Sequence, residues 1–294
     1  MKKILIIGCG DIANRVIGLL HGRFQLFGLV RNPIRRAELR KQGVIPLDGD
    51  LDDRNSLERI AGIADTVLHF APPANLGEQD PRTRNLLAAL SQGQFPRQII
   101  YISTSGVYGD CAGDRVSETC PANPQSARAR RRIAAETLIR HWAARNRVKA
   151  SILRVPGIYA AGRLPRERIL AGMPAISADQ DSYTNHIHAD DLARCVVAAM
   201  RLGKPNRLYH ASDDSEMKMG EYFDVVADKF HLPRVPRMLR QEVECTVSPL
   251  MWSFMNESRR LTNRRMKQEL KVKLRYPTVQ DALTSMDVDQ AAST

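Results

Sequence analysis

The sequence is poor in aromatic residues, which make up 5% of its 294 positions, and it lacks any long apolar run. No stretch approaches the ~18–20 residues that a membrane-spanning helix needs. The start, Met1-Lys2-Lys3 followed by an apolar stretch and Gly8-Cys9, imitates a lipoprotein leader. That stretch covers only residues 4–7, short of the ~7 residues of a signal core, and Asp11 follows at once. It reads as a buried first strand, and the expected location is the cytoplasm, with no membrane association. Cysteine is scarce and odd in number, at positions 9, 111, 120, 195 and 245, with no C-x-x-C pair. This pattern argues against a disulfide framework and a structural zinc site, and fits a reducing compartment. Internal repeats and low-complexity tracts are also missing.

Positive charge is plentiful: Lys and Arg number 44 against 32 Asp and Glu, a net charge of +12. Its two foci are residues 128–149 and 259–275. Such an excess suits nucleic acid, an anionic substrate or a solvated surface alike. Short apolar runs at 3–7, 25–30, 44–46, 66–70, 98–102 and 150–155 alternate with helical patterns at 12–21, 34–42, 55–61, 81–92 and 125–144. Continuous apolar strands separated by helices predict an α/β fold, a doubly wound parallel sheet covered on both faces. Its ligand crevice lies at the carboxyl ends of the strands. After residue 156, glycine and proline break the rhythm into loops and short helices, which predicts a smaller C-terminal lobe over the crevice. A helix over 188–200 returns to the sheet. The expected division is a dinucleotide domain at 1–160, rejoined by 188–203, a substrate lobe at 161–187 and 204–285, and a tail at 286–294.

Gly8-Cys9-Gly10-Asp11-Ile12-Ala13 is G-x-G-x-x-A between the first strand and the first helix. Gly8 permits the tight turn, Gly10 admits a pyrophosphate to the backbone, and Ala13 lets helix and strand pack closely. The free N–H groups of the helix start then hold the phosphates. An NAD site calls for an acid at the end of the second strand, to bind the ribose hydroxyls. Here that strand runs into Arg31-Asn32, with Arg35 and Arg36 beyond. Guanidiniums stand where a 2′-phosphate sits, so NADP is expected, with NAD as the alternative. Arg35 and Arg36 could equally face solvent.

Further along, Gly49-Asp50-Leu51-Asp52-Asp53, His69-Phe70-Ala71-Pro72-Pro73, Ser103-Thr104-Ser105-Gly106-Val107-Tyr108-Gly109, Leu153-Arg154-Val155-Pro156-Gly157-Ile158-Tyr159 and His188-Ala189-Asp190-Asp191-Leu192-Ala193 follow in order. Together they resemble the short-chain dehydrogenase/reductase superfamily, in its extended NAD(P)-dependent epimerase/dehydratase branch, over most of residues 1–285. The resemblance implies a Rossmann domain with a substrate lobe. It puts Asp50 and Leu51 at the adenine, and Phe70, Ala71, Pro72, Ser103 and Pro156 along the cofactor. Thr104 takes the catalytic Ser/Thr position, and Tyr108, Tyr159 and Arg163 fall near the substrate. The family's Y-x-x-x-K aligns with Arg128-Ala129-Arg130-Arg131-Arg132. Arg128 therefore replaces the catalytic tyrosine and Arg132 the lysine. A guanidinium stays protonated and cannot serve as the base, although Arg132 can still hold the nicotinamide ribose.

Tyr108 is then the expected acid, unless it packs as a buried tyrosine with a bonded hydroxyl, as Tyr159 also could. Cys111 and Cys120 lack a paired base, and His186 is the next source of acid–base chemistry. His188 and His210 have structural readings, and no ligand spacing suggests a metal. Arg128 and Arg132 share a helix face and favour an anionic substrate, unless one serves only the cofactor and the other only a loop carbonyl. The basic segment 257–270 resembles a structural helix of the substrate lobe, and no specific nucleic-acid binding is expected. The function expected is an NAD(P)-dependent oxidoreductase or epimerase/dehydratase-like enzyme for a small polar substrate, monomeric or homodimeric. The alternative is a catalytically silent NADP-binding redox sensor.

Overall fold

Seven parallel strands form the centre of the computed structural model, which describes residues 1–286. Five are β1 (Lys3–Ile7), β2 (Gln25–Val30), β3 (Val44–Asp48), β4 (Thr66–His69) and β5 (Gln98–Thr104). The others are Lys149–Val155 and Arg207–His210, and the order from that edge is 207–210, 149–155, β5, β4, β1, β2, β3. Chain direction across the sheet reverses its winding between β1 and β4, which opens the crevice at their carboxyl ends. The tail expected from residue 286 falls almost wholly outside the described residues.

The two faces bury separate cores. Ile4 and Ile6 of β1 point to one face, where helix α1 (Asp11–Leu20) and the helix Ala189–Leu202 supply Val16, Leu20, Leu192 and Val196. Leu5 and Ile7 point to the other, against helices α3 (Pro81–Leu90) and α4 (Ala127–Arg145). Alternation along the strand thus serves both layers, each fully buried Ile or Leu contributing about 1.5–3 kcal/mol. Between β2 and β3 lies helix α2 (Pro33–Lys41), capped by Asn32, whose Oδ1 accepts from the Ile34 N–H at 2.8 Å. Asp80 and Ser126 cap α3 and α4 in the same way. The helical pattern at 55–61 is a 3₁₀ helix over residues 54–60.

Two parts of the expected substrate lobe belong to the sheet domain instead. Arg207–His210, within the segment expected to form the lobe, pairs in parallel with Ser151–Arg154 as the edge strand of the sheet. Met266, Leu270 and Val272 pack into the same core as α1. The basic segment there is paired internally: Arg259 to Glu257 at 2.8 Å, Arg265 to Glu118 at 3.7 Å, and Lys267 to Asp214 at 2.5 Å. The remaining lobe has its own core around Ile169, Phe223, Val226 and Leu283. No helix among the described residues is long and apolar enough to cross a membrane.

Candidate active site

The glycine loop joins β1 to α1. Gly8 has φ +91°, and a Cβ there would stand 2.4 Å from the Ala71 nitrogen, so only glycine fits the turn. At Gly10 a Cβ would meet nothing within 4 Å. Open space thus lies beside the backbone at the position where a pyrophosphate approaches. Gly10 caps α1 without any side-chain bond, leaving the first N–H groups, those of Asp11, Ile12 and Ala13, for an anion. The side chains of Ile12 and Ala13 go into the core. Asp11 is held by two guanidiniums, Arg15 Nε and Arg163 Nε, each at 3.0 Å. Those pairs offset an acid that would otherwise repel phosphate. This cradle fits a dinucleotide.

Beyond the loop a recess of about 280 Å³ is lined by Leu29, Arg31, Asn32, Asp50, Leu51 and Ala71, with Pro72, Arg35 and Arg82. Arg31 is largely exposed and its Nη1 lies 3.5 Å from Asp50 Oδ2. Arg35 donates through Nε to the Cys9 carbonyl at 2.8 Å and pairs with Glu38 and Asn14. Arg36 was expected here, but it turns away to Asp48 at 3.0 Å and does not line the recess. One step along a helix rotates the side chain by about 100°, which separates these two neighbours. Arg82 was missed; it grips Asp52 with bonds of 2.8 and 2.6 Å and donates to the Pro72 carbonyl. Only its place in the first turn of α3, facing the β3 turn, could have signalled it. Phe70 packs on the core beside β1 rather than lining the recess. Burial pushes the Cys9 thiol up to about 11, so it stays protonated.

A second cavity, of about 410 Å³, opens at the end of β5. Thr104, Arg128, Pro156, Tyr159 and Arg163 line it as expected residues. Thr104 caps the 3₁₀ helix Ser105–Tyr108 by accepting from the Gly106 N–H at 3.2 Å, which leaves its O–H to donate. Arg128 lays its guanidinium 4.1 Å above the Phe254 ring, and burial lowers its pKa. His186 also lines the cavity, stacked on Tyr222 at 4.2 Å, with burial holding it neutral, its pKa down to about 3. Tyr159 is among the wall residues, but its hydroxyl donates away, to the Thr278 carbonyl at 3.3 Å. Burial raises its pKa strongly. Arg168, Arg259, Glu257 and Phe254 complete the wall and were missed. Three of them fall within residues 254–259 and Arg168 lies far away in the chain, and none belongs to a motif that marks a site.

Three expected site residues lie elsewhere. Tyr108 does not line the cavity. Its hydroxyl meets His210 Nε2 at 2.5 Å, Arg154 lies 4.6 Å over its ring, and burial raises its pKa to about 12. A phenol so occupied is not positioned to protonate anything in the cavity. Ser103 is buried and donates to Glu136 Oε1 at 2.6 Å, within a pair that Arg154 closes at 3.1 and 2.7 Å. Neither residue faces the cofactor crevice: alternation along β5 turns Ser103 into the α4 layer. Arg132 donates to the Ile102 carbonyl at 2.8 Å and to the Tyr101 hydroxyl at 3.1 Å. Its guanidinium is thus committed to β5. Among the described residues no group of three or more His, Cys, Asp or Glu could hold a metal ion.

The model of the NAD dependent epimerase/dehydratase family matches residues 4–211. An uncharacterized protein of Sinorhizobium fredii is 26% identical over 231 residues, 72% of this chain and 65% of that protein. A dTDP-glucose 4,6-dehydratase of Mycolicibacterium smegmatis is 26% identical over 185 residues, 55% of each chain. The chain thus spans 55–65% of the length of these two relatives. Among solved structures, a functionally unknown conserved protein of Silicibacter pomeroyi superposes over 100% of both chains, with TM-score 0.80 and 28% identity. DesIV, a dTDP-glucose 4,6-dehydratase of Streptomyces venezuelae, shares the fold at TM-score 0.78 and 17% identity, over 99% of this chain and 96% of that one.

Proposed function

The chain belongs to the NAD dependent epimerase/dehydratase family, and from that membership we propose an enzyme that binds NADP in the crevice and exchanges hydride with a small molecule in the adjoining cavity. The observation that carries this reading is the open space at Gly10 beside an uncapped helix start. The nicotinamide ring supplies the hydride acceptor or donor. The N–H groups of residues 11–13 bind its pyrophosphate, and Asp50 and Leu51 flank the adenine. Arg31, Asn32 and Arg35 favour the 2′-phosphate, because an acid is missing at the end of β2.

In the cavity Thr104 donates to the reacting oxygen. Arg128 replaces the phenol of the family, so no tyrosine hydroxyl at that place moves the proton. A second reading, a silent NADP-binding sensor, is favoured by one observation: the tyrosine expected as the acid, Tyr108, lies outside the cavity with its hydroxyl held by His210. The test is NADPH oxidation, followed by its absorbance, across aldehydes, ketones, sugar nucleotides and hydroxy acids. Turnover by any of them supports the enzyme; tight NADPH binding with no turnover supports the sensor.

A further inference from the structure

Four arginines line the second cavity, Arg128, Arg163, Arg168 and Arg259, against a single acid, Glu257. Two of them are neutralised: Arg163 by Asp11 at 3.0 Å and Arg259 by Glu257 at 2.8 Å. Arg128 and Arg168 have no carboxylate within ion-pair distance among the described residues. Both are partly buried, and burial lowers the pKa of each. A buried charge without a counter-ion is costly. Glu257 attracts Arg128 only from beyond ion-pair distance, and burial is the only influence on the pKa of Arg168.

The two guanidiniums are also prepared in the same manner. Arg128 lies 4.1 Å over Phe254 and Arg168 lies 5.0 Å over Phe223. A ring occupies the flat face and leaves the N–H edge free for a planar acceptor. Arg168 donates through Nη2 to the Pro174 carbonyl at 2.7 Å, while its Nε is buried without an acceptor. Arg128 donates no hydrogen bond to any described residue. Both meet the short helix Pro249–Met255, Arg128 through Phe254 and Arg168 through Met255 Sδ at 3.6 Å. The wall around them mixes Ile158, Tyr222 and Met251 with the polar Thr184, Asn185 and His186.

We infer that the cavity receives a small organic acid, its acid group bound by Arg128 and Arg168 and its apolar body lying against Tyr222 and Met251. The inference rests on the reading of this cavity as the substrate site. It also accounts for position 128: an anion receptor stands beside Thr104, where a proton donor is expected. Carboxylate and phosphate share the chemistry that a guanidinium edge recognises, and Ile158, Tyr222 and Met251 offer an organic body apolar contact.

Titration calorimetry on NADPH-saturated protein tests it with three probes of one body: phenylacetate, phenyl phosphate and the neutral phenylacetamide. The expected result is binding of at least one acid about tenfold or more tighter than the amide, and loss of that margin in Arg128→Gln and Arg168→Gln. Preference for phenylacetate over phenyl phosphate assigns a carboxylate, and the reverse assigns a phosphate. Equal binding of acid and amide, acid binding that both variants retain, or no acid binding up to about 10 mM overturns the inference. NADPH affinity, measured in the same runs, reports on the cofactor reading separately. Arg168→Gln, remote from the glycine loop, leaves that affinity unchanged.

Discussion

The hydroxyl of Tyr108 donates to His210 Nε2 across 2.5 Å, and Nδ1 of the same ring donates to the Thr262 carbonyl at 2.9 Å. A carbonyl only accepts, so the ring proton sits on Nδ1 and Nε2 receives the phenol. The pair ties the 3₁₀ helix Ser105–Tyr108 to the edge strand Arg207–His210 and to the segment around Thr262. Both side chains are buried. The phenol is a strut under the cavity.

Tyr108→Phe therefore lowers stability by about 1–3 kcal/mol, the cost of leaving buried Nε2 without a donor. Urea denaturation reads this directly. On any confirmed substrate, turnover at a temperature where the variant is folded changes little. A drop of about 10²–10⁴-fold in a fully folded variant would restore Tyr108 as the acid.

The pair Glu136–Arg154 is more tightly enclosed, at 4% and 6% side-chain exposure. Removing one partner strands the other charge. Arg154→Ala is expected to cost about 3–5 kcal/mol, and Glu136→Gln, which keeps the acceptor for Ser103, costs less. Comparable denaturation midpoints for Arg154→Ala and wild type would contradict this assignment.

Much of this was legible in the sequence. The strands 3–7 and 25–30 run as the apolar pattern predicts, because each feeds two buried faces and so reads as a continuous run. The edge strand Arg207–His210 escaped notice because four residues behind the turn at Pro205 carry no period. Motifs placed Thr104 and Arg128 at the cavity, but backbone direction decided Tyr108 and Ser103. Ser103 lies near the end of β5 and Tyr108 just beyond it, and a motif does not record which layer a side chain enters. Arg168, Arg259 and Phe254 meet only through tertiary packing.

Burial makes two opposite contributions to pH dependence. His69, His186 and His210 fall from 6.5 to about 3 in the fold. The unfolded chain then binds more protons below pH 6.5, and stability declines as pH falls through that value. Asp213 is raised from 3.8 to about 7 by burial, so the folded state holds the extra proton and stability falls as pH rises between those values. Asp213→Asn removes only the second effect. Thermal midpoints across pH 4–8 are expected to show a larger gain for this variant at the alkaline end. An unchanged profile would refute the buried-carboxyl assignment.

At the recess, Arg31→Ala and Arg35→Ala each weaken NADPH by about 1–3 kcal/mol, the worth of a charge-assisted contact, and leave NADH nearly unchanged. Arg36→Ala, paired to Asp48, alters neither. Calorimetry on both cofactors checks all three variants. Loss of NADPH selectivity in Arg36→Ala alone would place the 2′-phosphate on the outer side of α2 instead.

The most direct measurement is calorimetric titration of NADPH and NADH into wild type and Gly10→Val. The account predicts that wild type binds both, NADPH the more tightly, and that Gly10→Val binds neither. Its fold is expected to be kept, because a Cβ at Gly10 meets no protein atom within 4 Å and the backbone there is extended, so the branch enters the space of the pyrophosphate. Equal binding of either cofactor to wild type and Gly10→Val, or no binding to folded wild type, would contradict the account.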